Sequence, residues 1–171
     1  RALLASASAK NDRLLHLLDE RVYEATRILA PPPTSARRRI ARAAAELATS
    51  GADANTDILE VDTNALHAAL LASKAIYAEL SHLGGANVEL ALTGSKVHTV
   101  AFAALAAVAR VSYVWYVAPT SYDMKRFTRG VDRTECFNMW LEPWLKGPAL
   151  GPRPSEAAAG CRVRSVNASA G

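Results

Sequence analysis

Short apolar runs alternate along the chain with longer stretches in which apolar residues recur every three or four positions, the pattern of a parallel sheet built from βαβ units. Ala2 to Ser6 reads as a first strand, short and apolar, and a helix from about Asp12 takes its apolar face from Leu14, Leu15, Leu17 and Leu18. Ala25 to Ala30 reads as the second strand. Pro31-Pro32-Pro33 stops it, because proline cannot donate to a strand ladder. Thr34 or Ser35 can cap the next helix, whose inner face is expected at Ile40, Ala44 and Leu47 and whose end falls near Ser50-Gly51.

Ile58, Leu59 and Val61 make a third strand, followed by a cap at Asp62 or Thr63. Leu66, Leu70, Ser73, Tyr77 and Leu80 then mark one face of a helix closed by Gly84-Gly85. Asn87 to Leu92 reads as the fourth strand, Ser95 to Arg110 as a helix apolar nearly all round, and Val111 to Ala118 as a fifth strand. That last strand is apolar on both faces, as one covered by helices on both sides should be. The expected fold class is α/β: a Rossmann-like three-layer domain over residues 1–145 with a mainly parallel five- or six-stranded sheet. Phe137 to Leu145, with Trp140 and Trp144, reads as a short helix or docked apolar segment. Residues 146–171 are rich in Gly, Pro, Ala and Ser and read as a flexible low-complexity tail.

Half of the 171 residues are apolar but only 6% are aromatic, so the core must rest on closely packed, alanine-rich helices. The net charge of +4 is mildly basic, which suits a phosphate-bearing ligand and does not by itself call for nucleic acid. Cys136 and Cys161 make neither a metal cage nor a disulfide framework, and a reducing cytoplasm is the expected compartment. No apolar run is long enough for a bilayer, so no membrane partner is expected. His16, His67, His82 and His98 lack metal-ligand spacing, and no metal or cofactor is expected.

The most informative stretch is Leu92-Thr93-Gly94-Ser95-Lys96, which joins a buried strand to a helix. Backbone amides at a helix start point outward with the positive end of the dipole behind them. Thr93 and Ser95 add hydroxyls, Lys96 adds a charge, and Gly94 lets a ligand approach the backbone. This is not a Walker A loop, which needs more glycines and wider spacing. In a doubly wound sheet the ligand crevice lies where strand order reverses. If strands one and four are neighbours, the first turn, with Ser6, Ser8, Lys10 and Asn11, meets the Thr93–Lys96 turn there.

Other features carry less. Arg37 to Arg42 could track a nucleic-acid backbone, but Glu46 four residues beyond Arg42 points to an ordinary exposed helix face. Lys125, Arg126, Arg129 and Arg133 read as a solvated basic loop, and His98 as a packed helix histidine. Glu89 interrupts a strand that should be buried, and composition offers no reason for it. No Ser/His/Asp arrangement can be drawn, so catalytic residues stay unassigned.

The run Val88 to Lys96, the alanine-rich helix after it, Tyr113 to Pro119, Tyr122 and Phe127-Thr128-Arg129-Gly130-Val131 resemble the CRISPR-associated Rossmann-fold (CARF) sensors. The likeness is to the sensor half of the CARF transcription regulators of archaea and bacteria, and it covers roughly Ala2 to Val131, its specific part being the second half. The resemblance implies binding of a nucleotide second messenger, typically a cyclic oligoadenylate, at a homodimer crevice, in antiviral defence. It places the ligand on Ser6, Ser8, Lys10 and Asn11 with Thr93, Gly94, Ser95 and Lys96. The chain departs from such regulators in having no recognisable winged-helix or nuclease module after the sensor. Two alternatives stay open: a ring-nuclease-type enzyme that cleaves the same ligand without metal, and a nucleic-acid-binding module.

Overall fold

The computed structural model describes residues 1–9, 12–50, 55–62, 65–83, 87–118 and 162–167. Ten elements follow in order: β1 (Ala2–Ser6), α1 (Asp12–Glu20), β2 (Ala25–Ala30), α2 (Ala36–Thr49), β3 (Thr56–Glu60), α3 (Leu66–Leu83), β4 (Val88–Ala91), α4 (Lys96–Val108), β5 (Tyr113–Ala118) and β6 (Arg162–Asn167). The strands lie in the order β3-β2-β1-β4-β5-β6, and every pairing is parallel. The fold is therefore the expected Rossmann-like α/β architecture, with strand order reversing between β1 and β4. Among the described residues no helix is long and apolar enough to cross a membrane.

The two faces of the sheet follow the period-two alternation of strand side chains. Ala2, Leu4, Leu29, Val88, Leu90 and Val114 face one way and pack with Tyr77 and Leu80 of α3 and Phe102 and Leu105 of α4. Leu3, Ala5, Ile28, Ala30, Ala91 and Trp115 face the other way and pack with Leu14, Leu17 and Tyr23 from α1 and the loop after it, and with Ala45 of α2. All five residues of β1 are buried, as the central strand of a three-layer sandwich requires.

One sequence expectation is corrected here. The inner face of α2 is Ala41, Ala44 and Ala45, not Ile40, Ala44 and Leu47; Ile40 and Leu47 are each more than half exposed. Alanine lets the helix lie close on the sheet, and the rotation that buries three alanines turns Ile40 and Leu47 outward. Strand β6 pairs with β5 from Tyr113↔Arg162 to Ala118↔Asn167. Strand pairing draws on backbone donors and acceptors, so the open edge of β5 can recruit a segment that has no regular apolar face. Gly84-Gly85 and the segment 137–145 lie outside the described residues.

Two buried acid or base groups brace the sheet. Arg27 on β2, 6% exposed, donates from Nε and Nη2 to Glu79 Oε1 on α3 at 3.1 and 2.6 Å, and from Nη1 to the carbonyl of Asn55 at 2.9 Å. Glu89, the unexplained acid of β4, is 1% exposed, and its Oε2 accepts Tyr23 Oη at 3.1 Å and Trp115 Nε1 at 2.5 Å. Burial, and then the neighbouring Glu89, pushes the Tyr23 hydroxyl well above its ordinary range, so it stays protonated as the donor. Glu89 thereby ties the loop after α1 to strands β4 and β5.

Removing either half of the Arg27–Glu79 pair should not cost the same. Glu79→Ala strands a buried guanidinium and is expected to destabilise by about 2 kcal/mol or more. Arg27→Met removes the buried charge and leaves a half-exposed Glu79 free to rehydrate, so it should cost less. Urea unfolding of the two variants checks the order.

Candidate functional site

Because β1 and β4 are neighbours running in parallel, from Ala2↔Val88 to Ala5↔Ala91, their C-terminal turns leave the sheet side by side. The turns touch. Thr93 Oγ1 donates to the carbonyl oxygen of Ser6 at 2.6 Å, and both residues are buried. A Cβ placed on Gly94 would lie 2.1 Å from Ser6 Oγ, 2.5 Å from Ser6 Cβ and 3.2 Å from Ser6 C. The neighbouring turn by itself therefore requires a glycine at position 94.

Ser95 is the N-cap of α4, with extended backbone (φ −69°, ψ 161°) and Oγ accepting the amide of His98 at 3.2 Å. Its carbonyl takes the amide and hydroxyl of Thr99 at 2.9 and 3.0 Å. Ser95 Oγ is committed as an acceptor, and its O–H can still donate outward. The amides of Lys96 and Val97 donate to nothing among the described residues. Lys96 itself is exposed.

The eight sequence candidates therefore divide. Ser6 and Thr93 are buried where the two turns meet; Gly94, Ser95 and Ser8 are half-buried around them, and Lys96 is exposed. Lys10 and Asn11 lie outside the described residues.

The same helix start holds a group that pattern reading took for simple packing. His98, in the first turn of α4, is fully buried, and neither ring nitrogen has a hydrogen-bond partner. Burial pushes its pKa below the ordinary 6.5, against a weaker upward pull from Asp62, so the ring is neutral near pH 7. Asp62, read from sequence as a helix cap, also accepts from Arg38 Nη2 at 2.8 Å, and Arg38 Nη1 donates to Thr34 Oγ1 at 2.9 Å. The start of α2 and the residues just after β3 thus share one polar network. Only the small-residue turns, not this network, had a signal in the sequence.

The basic run of α2 is largely neutralised. Arg38 pairs with Asp62, Arg42 pairs with Glu46 at 3.0 Å and lies 3.9 Å from Glu60, and the shallow cavity beside Arg39 and Arg42 also holds Glu46 and Glu60. That is the ordinary exposed helix face expected from the Arg42–Glu46 spacing. The basic residues from Lys125 to Arg133 lie outside the described residues. Among the described residues no group of three or more His, Cys, Asp or Glu could hold a metal ion. No family model matches the chain, and no curated protein matches its sequence.

Two outcomes follow from this geometry. Gly94→Ala should destabilise by about 1–3 kcal/mol through overpacking against Ser6. Ser6→Gly should recover part of that loss, giving a coupling of about 1 kcal/mol in a double-mutant cycle measured by chemical denaturation. The second outcome concerns acid. A His whose folded pKa is depressed takes up its proton more readily when unfolded, so its contribution is complete above the unfolded value and is lost as pH falls below about 6.5. Wild type should lose more stability than His98→Leu between pH 7.5 and 5.5; equal losses in urea titrations would contradict the burial of a neutral ring.

Proposed function

We propose that this chain is a ligand-sensing domain that binds a nucleotide second messenger, of the cyclic oligoadenylate class, in the crevice between the β1 and β4 turns, as a homodimer acting in antiviral defence. One observation supports this above the rest. Among the described residues, the buried side-chain atoms left without a hydrogen-bond partner are Ser6 Oγ, at the end of β1 against Gly94, and the two ring nitrogens of His98, in the first turn of α4. Native interiors leave few polar groups unpaired, and those that remain tend to mark a functional place. The same turn offers two open amides at the positive end of α4 and the exposed Lys96, a setting that favours a phosphate. The resemblance of the Val88–Lys96 run to CARF sensors supplies the class of nucleotide.

The homodimer rests on α4. Its inner face buries Ala101, Phe102, Ala104 and Leu105, which leaves Val100, Ala103 and Ala107 outward. A contact through these small side chains would bring two Lys96 turns toward one ligand with repeated phosphates, and light scattering that gives a monomer mass would remove this part of the reading.

Lys96→Ala should lower affinity for a cyclic oligoadenylate at least tenfold with the melting temperature preserved, since a charge-assisted phosphate contact contributes about 1.5–3 kcal/mol. Isothermal titration against cyclic oligoadenylates, mononucleotides and duplex DNA tests it. Unchanged affinity in the variant removes Lys96 from the site. Slow loss of the cyclic ligand favours the cleaving alternative, and salt-sensitive binding of DNA alone favours the nucleic-acid alternative.

A further inference from the structure

The opposite end of the sheet has a cavity of its own. It measures about 420 Å³ and lies between the C-terminal halves of α1 and α2, with Leu15, Asp19, Arg21, Tyr23, Thr26 and Ala48 in its wall. Its size is that of a small-molecule site. Val22, 87% exposed, and Leu47, 56% exposed, stand at its rim as large apolar side chains in contact with water.

Three features set negative charge at this cavity against the one cation in its lining, Arg21. The carbonyl ends of α1 and α2 both face it, and neither helix has a basic residue in its last turn to compensate the negative end of its dipole. Asp19 adds a carboxylate to the wall. Behind Tyr23 lies the acid Glu89, which holds Tyr23 and Trp115 by one oxygen. Trp115 is stacked with Tyr113 at 5.8 Å between ring centres, so aromatic faces and an acid meet in one place.

Aromatic rings beside an acid attract organic cations. The chain already provides one: the Arg21 guanidinium carbon sits 4.1 Å from the centre of the Trp115 ring. Arg21 also belongs to the cavity wall, so the cation on the indole is reachable from the cavity.

We propose that this cavity binds a small organic ammonium ion with an apolar body, and that Arg21, which lines the cavity, is the chain's own cation over the Trp115 ring buried behind it. The ligand's charge is held by Asp19 and the two helix ends, its carbon skeleton lies against Leu15, Val22 and Leu47, and displacing Arg21 opens the Trp115 face to it. The proposal is independent of the nucleotide crevice, which lies at the other end of the strands.

Titration calorimetry on the full chain tests it, with benzyltrimethylammonium and choline as probes and 3,3-dimethyl-1-butanol as the uncharged counterpart of choline. Wild type should bind benzyltrimethylammonium saturably. Arg21→Met, which removes the competing charge and leaves only a flexible thioether to be displaced from Trp115, should bind it at least tenfold more tightly, Asp19→Asn at least threefold more weakly, and dimethylbutanol should not bind. Absence of saturable binding in both wild type and Arg21→Met overturns the proposal, as does equal binding of the uncharged alcohol. Loss of cooperative melting in Arg21→Met also overturns it, because the stack would then be a structural staple. Binding of a lysine-rich peptide without binding of the small cations overturns it in favour of a partner chain.

Discussion

The contact between Ser6 and Gly94 is the constraint on which the upper end of this molecule depends. Two parallel strands that send their helices to opposite faces leave a gap beyond their carboxyl ends, and the width of that gap is set by the turns that border it. Here the turns approach until a single methyl group would not fit between them, and the Thr93 hydroxyl fastens one to the backbone of the other. The first turn of α4 is therefore positioned by β1 as much as by its own strand. Ser95 can cap that turn, and leave two amides open, only because Gly94 has already brought the chain over Ser6.

The strands were legible because each is a short apolar run bounded by residues with a definite local effect. Pro31 ends β2, Ser35 caps α2 by accepting from Arg38, and Ser95 caps α4, each within a residue of where its chemistry predicts. The neighbouring of β1 and β4 entered only as a condition, because nothing local fixes the strand after which the winding reverses. What failed was the rotation of α2. A hydrophobic pattern ranks Ile40 and Leu47 above alanine, but the sheet accepts whichever face allows the closer approach. The deeper polar groups were illegible for another reason: Glu89, His98 and Asp62 act on residues distant in sequence, and no local spacing records that Tyr23 meets Glu89 or that Arg38 meets Asp62.

Those long-range polar links do what the thin core cannot do alone. With few large aromatic side chains, apolar burial in this chain is spread over many alanines that grip weakly and specify position poorly. Arg27 fixes α3 to the sheet through Glu79, and Glu89 fixes the loop after α1 to β4 and β5. Each link needs all its partners, since a buried polar group left unpaired costs more than a lost contact between apolar groups. Their role is to choose one register among several that alanine would tolerate.

Parallel strands also give the molecule an electrical direction. Every helix that returns antiparallel to the sheet points its amino end toward the carboxyl ends of the strands, and its carboxyl end toward the opposite rim. At the upper rim this chain adds Lys96 and the unpartnered Ser6 Oγ to positive helix starts, so an anion is the ligand least opposed there. At the lower rim α1 and α2 end without basic residues in their last turns, Asp19 joins them, and Arg21 is drawn onto the face of Trp115. The same topology thus prepares opposite chemistries at its two ends. Which of them is used is decided by a few side chains added where the dipoles are left uncompensated.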